Sequence, residues 1–434
     1  WWTNYFTEYY LRVSGDKEAE TVMRGYTLQK YMNGCAGRGR MPIKFNGSIF
    51  TVHPSPYDQS DLDYRAWGEC YWIQNTRLVY WNMLYSGDFE GMLPFFRLCR
   101  GLIPISKARV KNLFGHGGML LPETFTFYGA YADSNFGFDQ SQKEDAACVN
   151  RYIGWHYNGQ VEISYLMLKY VEYTGDREFL KETAVPFCQE TLTFFREHFP
   201  KVDGVYRLYP VSSLETWQDC VDDTPDLAGL RAVCGRLREF GVTPALDDEN
   251  LAEIPYWEKK GKTVVSPCRA FVETKAGNME NPELYPLFPY ETFHLGSGEQ
   301  ELAILRDTFA LVDNPHTHGW SQMLAQGAML GDTAYCRRVS AGNFGEKNPD
   351  CFFPAYWGPN FDWTPDQDHG NSTAVGVVMM ALQSHGGKDY FLPTWPEEWE
   401  VSCSFPVPVF RFLPSAPAGR PDRSSRLPRR RVGQ

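Results

Sequence analysis

Apolar residues recur at helical spacing along most of the chain. Residues 16–35 carry them on one face and stop near Gly37, and residues 69–85 form a strongly aromatic helix that stops at Gly87. The pattern continues over 89–114, with a break at Pro104. Residues 159–173 and 176–199 read as a helical hairpin about Thr174-Gly175-Asp176. Further helices are expected over 1–13, 225–240, 247–259, 299–312, 319–330, 332–344 and 371–384, the last ended by Gly386-Gly387. That makes about twelve helices, the number a six-hairpin ring needs. No internal repeat is evident, which argues against a short-period solenoid.

Between the helices lie long polar segments, at 46–67, 116–150, 206–223, 264–298 and 345–370. Loops of this length inside a compact domain usually serve function. They follow alternate helices, so closing the helices into a ring would gather them on one face as the walls of a pocket. Residues 390–412 alternate apolar and polar with several prolines and read as β-strand, either a small cap or the opening of a sheet domain. The expected organisation is a helical barrel over 1–389, the strand segment 390–412, and an Arg/Pro-rich disordered tail over 413–434.

Composition narrows the partners. The 434 residues carry a formal net charge of −11, which disfavours nucleic acid, whose phosphates need a basic surface. Aromatic residues make up 15% of the chain. Most fill the core, and a surplus suits a pocket in which sugar C–H faces stack on rings. The 11 cysteines show no CxxC or zinc-type spacing, so they read as reduced, buried thiols, which favours the cytoplasm. No apolar run is long enough to span a membrane, so no membrane partner is expected. No signal peptide is visible, and the chain opens on Trp1-Trp2, where an upstream segment could have been removed. The sequence carries no GxSxG elbow, Walker A motif, HExxH pair or dinucleotide-binding glycine motif. No metal or cofactor is expected, and the oligomeric state is not readable.

Several segments carry a resemblance when taken in order. They are the run Gly37-Arg38-Gly39-Arg40-Met41-Pro42-Ile43-Lys44-Phe45-Asn46-Gly47, the helix Tyr71-Trp72-Ile73-Gln74-Asn75-Thr76-Arg77 ending Tyr80-Trp81, the loop Ser213-Leu214-Glu215-Thr216, the segment Pro282-Glu283-Leu284-Tyr285, and Asp366-Gln367-Asp368-His369-Gly370-Asn371. Together they resemble the inverting α-L-fucosidase and α-L-galactosidase family, and more closely a group of bacterial relatives described as glycoside hydrolases. The resemblance runs over roughly residues 1–412. It implies an all-α fold, an (α/α)6 toroid with long loops on one face, acting on a carbohydrate. It also implies that Glu215 matches the family's general acid and Asp368 its general base, with Asn371 nearby. Asn75 matches the second of two asparagines that hold the attacking water. Ile73 falls at the first, with Gln74 beside it, a departure from the family.

The chemistry asks for two carboxyl groups flanking the scissile bond, one protonated and one ionised. Glu215 lies beside Leu214 and Trp217, and apolar surroundings raise a carboxyl pKa. Asp368 lies among Gln367, His369 and Asn371, which would keep it ionised. For each, the plainer reading is a solvated loop acid or a helix cap. Glu123, on the loop that begins at His116, competes for the acid role, and Asp362 or Asp366 for the base. Glu283 could bind a hydroxyl, whereas Glu162 reads as a hydrogen-bonded core acid. Arg77 reads equally as a substrate clamp or as a side chain snorkelling from the core. Trp72, Trp81, Trp155, Trp217, Trp357 and Trp363 are candidate sugar platforms, with the core reading preferred at helix positions and the platform reading for Trp217, Trp357 and Trp363 on loops. The expected activity is removal of a terminal sugar by an inverting two-carboxylate mechanism. The alternatives are a lyase or phosphorylase on the same scaffold, or a non-catalytic sugar-binding domain.

Overall fold

The structure, a computed structural model, describes residues 1–46, 67–132, 148, 150–271, 277–346 and 367–411. A short helix α1 (Trp2–Thr7) leads into strand β1 (Tyr10–Ser14) and helix α2 (Lys17–Cys35). Strand β2 (Tyr71–Trp72) precedes α3 (Ile73–Tyr85), α4 (Phe89–Gly101) and α5 (Ile103–Leu113). Strand β3 (Thr124–Phe125) pairs with β2, and α6 (Asn158–Thr174) and α7 (Val185–His198) follow. The hairpin β4 (Lys201–Val202) and β5 (Val205–Tyr206) leads to β6 (Val211–Ser213), β7 (Trp217–Asp223) and α8 (Thr224–Glu239). Strands β8 (Tyr256–Lys259), β9 (Lys262–Val265) and β10 (Cys268–Phe271) precede α9 (Glu299–Ala310), α10 (Met323–Met329), α11 (Thr333–Gly345) and α12 (Gln367–Ala381). The described chain closes on β11 (Leu382–His385), β12 (Lys388–Phe391) and β13 (Glu400–Ser404).

The fold is helix-rich. Among the described residues the strands form small antiparallel groups, and none closes into a barrel. No helix among them is long and apolar enough to cross a membrane. Four helices are buried along almost their whole length: α3, α6, α10 and α12. A helix buried on every side belongs to an inner layer. α12 packs on α3 and α10, α3 on α6, and α6 on α8, while α4 and α7 bury one face only. Side chains cap these helices where the sequence changes direction. Asp16 accepts a hydrogen bond from the Ala19 amide (2.8 Å), Asp88 from Gly91 (3.2 Å) and Asp223 from Asp226 (3.0 Å). Gly175 ends α6 in the left-handed region, at φ 74°.

Several expected helices are replaced. Residues 1–13 split into α1 and β1, because Leu11 and Val13 point inward while Arg12 points out, and β1 pairs with β13. Residues 247–259 give a single 3-10 turn and then β8. Pro255 cannot donate a helical hydrogen bond, and Lys260-Gly261, both at positive φ, form a hairpin turn. Gly386-Gly387 likewise turns the hairpin β11–β12 instead of merely stopping a helix, and that hairpin begins inside the expected helix 371–384. The helix 89–114 breaks at Leu102, ahead of Pro104. Strands do occur within 390–412, where β13 joins the first strand of the chain. Residues 412–434 lie outside the described residues.

Candidate active site

The site grows from the first turn of α3. Trp72 cannot cap a helix with its side chain, so the exposed amides of that turn need another acceptor. Glu123 supplies it twice: its carbonyl oxygen accepts from the Ile73 amide (2.9 Å) and its carboxyl Oε1 from the Gln74 amide. Burial and the neighbouring Glu215 charge push the Glu123 carboxyl well above the ordinary range, against the pull of the Gln74 amide.

Glu215 sits on the three-residue turn between β6 and β7, next to Leu214 at φ 55°. A left-handed conformation at a buried leucine is strained and is held only by its surroundings. The turn is anchored by Gln218 donating to the Glu215 carbonyl (3.1 Å) and by the Thr216 hydroxyl donating to the Glu280 carbonyl (3.0 Å). The Glu215 carboxyl accepts from the Trp72 indole N–H at Oε1 (2.6 Å) and from the Asn278 amide at Oε2 (2.6 Å). Burial, reinforced by Glu280, pushes it up to about 7, although both hydrogen bonds favour the anion.

Asp368 lies in the first turn of α12 and is fully buried. Its Oδ2 accepts from the Asn75 side-chain amide (2.5 Å) and its Oδ1 from the His369 amide (2.7 Å). A helix N-terminus and an amide donor both favour the carboxylate anion. Trp72, the last residue of β2, and Asn75, in the first turn of α3, both hold their carboxyls from the start of that helix. Two carboxyls distant in sequence are thus tied to neighbouring positions at one helix end.

Behind them lies a charged cluster. Arg77 is 2% exposed and pairs with Glu162 (2.7 Å) and Glu280 (2.9 Å). Tyr285 and Gln322 also hydrogen-bond to Glu280. Burial pushes Glu280 up to about 6. His156 stands 3.9 Å from Glu123, and burial together with Arg77 pushes it down to about 3, leaving it neutral. Gln74, Arg77, Glu123 and His156 line a small void of about 10 Å³, room for about one water. The Gln74 side-chain amide, Arg77 Nη1, Glu123 Oε2, His156 Nδ1 and Glu280 Oε2 have no hydrogen-bond partner among the described residues. Polar atoms buried in this way need water or a bound ligand.

The structure therefore brings together Trp72, Gln74, Asn75, Arg77, Glu123, Glu215 and Asp368. Four other expected residues lie elsewhere. His116 stacks on Phe114 and contacts His198 (2.9 Å). Trp217 is buried with its ring on Phe271, 4.6 Å between centroids, so it packs a sheet and offers no open platform there. Glu283 is buried and pushed up to about 7, chiefly by burial, with Asp313 and Lys259 as the charges it feels. Asn371 joins helices: it accepts from Asn33 (2.7 Å) and Asn82 (2.8 Å) and donates to the Gln367 carbonyl (2.6 Å). Trp357, Trp363, Asp362 and Asp366 lie outside the described residues. Sequence reasoning passed over Asn278, Glu280 and Gln322, which sit on irregular segments with no periodicity to mark them. Arg77 does not snorkel, since it is ion-paired inside the fold, and Glu162 is the hydrogen-bonded core acid it was read as, held by Arg77 and the Trp81 indole (2.7 Å).

No family model matches the chain, and no curated protein sequence matches it. Among solved structures, the fold is similar to that of a protein titled "Putative kojibiose phosphorylase from human microbiome", with a TM-score of 0.65 at 11% identity. The match covers 93% of this chain and 58% of that one, so the chain spans less than two thirds of that neighbour's length.

Proposed function

We propose that the chain is the (α/α)6 domain of a carbohydrate-active enzyme that cleaves a terminal glycosidic bond with inversion. Glu215 is the general acid and Asp368 the general base. The observation that carries this reading is the pair of contrasting carboxyl environments at the first turn of α3. Glu215 is buried and holds its proton up to about pH 7, whereas Asp368 takes an amide donor at a helix N-terminus. Glu215 gives its proton to the leaving oxygen as the C–O bond breaks. Asp368 draws a proton from a water that attacks the anomeric carbon from the opposite face. Asn75 holds Asp368, Trp72 and Asn278 hold Glu215, and the Arg77 cluster keeps the surrounding acids in fixed positions.

A second reading is favoured by the name of the structural neighbour: inorganic phosphate takes the place of water, and Asp368 does not act as a base. The two are separated by incubating aryl α- and β-glycosides and disaccharides with the protein, with and without inorganic phosphate, and following products by NMR. Hydrolysis with inversion that needs no phosphate, reduced at least ~10³-fold in both Glu215→Gln and Asp368→Asn, is expected. Sugar phosphate formed only when phosphate is present would replace the hydrolytic reading with the phosphorolytic one. Cleavage unchanged in Glu215→Gln would remove the acid assignment and turn attention to Glu123.

A further inference from the structure

A second pocket lies at the other end of the same helices. α3 starts at the Glu215–Asp368 arrangement and α6 beside it, α8 is tied to the start of α6 by Asn158 donating to Asp226 (3.1 Å), and α12 starts with Asp368 itself. Their C-terminal ends carry or adjoin Tyr85, Glu172, Arg236 and His385 respectively. With 17 residues, α6 sets the two places about 25 Å apart. The pocket opens between the hairpin β11–β12 and residues 408–411, and its volume is about 270 Å³. That is close to the lower end of the range of about 300–1,000 Å³ that small-molecule sites occupy, a size for a small ligand.

Charge in this pocket balances overall: Glu172, Glu239, Glu291 and Asp389 meet Lys169, Arg236, Lys388 and Arg411. Glu172 and Glu291 share the buried Lys169, at 3.0 and 2.9 Å. Glu239 pairs with Arg236 (2.8 Å), and Asp389 with Arg411 (2.7 Å). A pocket neutralised in this way offers little net attraction to an anion or a cation, but it presents carboxylate acceptors and guanidinium donors side by side. Hydroxyl-rich ligands use both, because each hydroxyl donates and accepts. The Phe410 ring forms part of the wall and could take the C–H face of a sugar.

Two observations mark the pocket as built for an occupant. His385 is 6% exposed and lines it, yet its Nε2 has no hydrogen-bond partner among the described residues. Its Nδ1 stands 3.6 Å from Glu291, and its ring stacks on His294 (5.2 Å between centroids). Glu291 itself is held at φ 51°, a strained conformation for a non-glycine residue. We infer that this pocket binds a neutral polyhydroxylated molecule of monosaccharide size, with the His385 imidazole and the Glu239 carboxylate among its hydrogen-bond partners. The inference does not rest on the roles proposed for Glu215 and Asp368.

Titration calorimetry with glucose, galactose and fucose tests this, with glucosamine and glucuronate as cationic and anionic controls. The proteins are the full chain, Glu215→Gln, His385→Phe and Glu239→Gln. The expected result is that a neutral sugar binds the full chain and Glu215→Gln equally, and at least tenfold more weakly to His385→Phe and Glu239→Gln. Glu239 lies at the rim, so its variant keeps the test valid if His385→Phe fails to fold. Failure of all three neutral sugars to bind at millimolar concentration would overturn the inference. So would binding confined to glucosamine or glucuronate. Binding lost in Glu215→Gln and kept in both pocket variants would place the sugar at the carboxylate site alone and also overturn it.

Discussion

The Glu215 carboxyl carries a cost that its function would explain. An ordinary glutamic acid releases its proton near pH 4.5, whereas in the fold burial and Glu280 push Glu215 up to about 7. Between those values the unfolded chain gives up a proton that the folded chain keeps. Stability therefore falls as pH rises through that window, and the cost is complete above about 7. Glu215→Gln removes the titration but leaves an amide facing two donors, Trp72 and Asn278, which offsets part of the gain. Relative to wild type, the variant is expected to be about 1–3 kcal/mol better off at pH 8 than at pH 4.5, as read by denaturant unfolding at both pH values. No difference between the two pH values would mean that the carboxyl is already ionised at its ordinary pKa in the fold. At this scale the sequence singles out Trp72, Asn75, Glu215 and Asp368 through ordered segments that resemble a family, and in the structure Trp72 hydrogen-bonds to Glu215 and Asn75 to Asp368. Asn278 and Glu280 were not legible. Their places are fixed by long-range contacts to Glu215 and Arg77, and no local pattern announces such contacts.

For the helices, the start of α3 illustrates what an element needs beyond its own sequence. Its first amides are satisfied by Glu123, 49 residues away in sequence from Gln74. Burial pushes the Glu123 carboxyl toward its neutral form, in which Oε1 is a carbonyl-type acceptor. Glu123→Gln retains that acceptor and is expected to change stability by less than about 0.5 kcal/mol. Glu123→Ala leaves an unpaired buried amide and a void, at a cost of about 2–4 kcal/mol. Thermal unfolding of the pair checks this, and equal losses in both variants would show that an ionised carboxylate is the acceptor. Asn371 makes a parallel case, since its side chain ties α12 to α2 and α3 through Asn33 and Asn82. Asn371→Ala is expected to cost about 2–3 kcal/mol in the same measurement, because it orphans two buried amide donors. Long amphipathic helices such as 16–35 were legible because their period is sustained. The short helical readings at 1–13 and 247–259 failed where a strand found a distant partner or where a proline and a Lys-Gly turn favoured a hairpin.

Over the whole molecule, the two ends of the described chain meet on one surface. β1 runs antiparallel to β13, pairing Leu11 with Cys403 and Val13 with Val401. Trp399 is 3% exposed, and its indole N–H donates to Asp16 at 3.1 Å, the residue that caps α2. Asp16 also pairs with Arg337 of α11, which reaches Glu18 and Glu398. Composition and alternation placed a boundary near residue 390, but alternation cannot reveal that the strand's partner lies almost four hundred residues earlier. If β13 and its tryptophans belong to the same cooperative unit as the helices, removing one anchor must weaken the whole. Trp399→Ala deletes a large buried ring and the hydrogen bond to Asp16, and is expected to cost about 3–5 kcal/mol. The unfolding transition should stay single, with near-ultraviolet circular dichroism and intrinsic fluorescence coinciding. A separate early transition in the variant, with the main one unmoved, would instead show that the strands beyond residue 390 fold as a unit apart from the helical body.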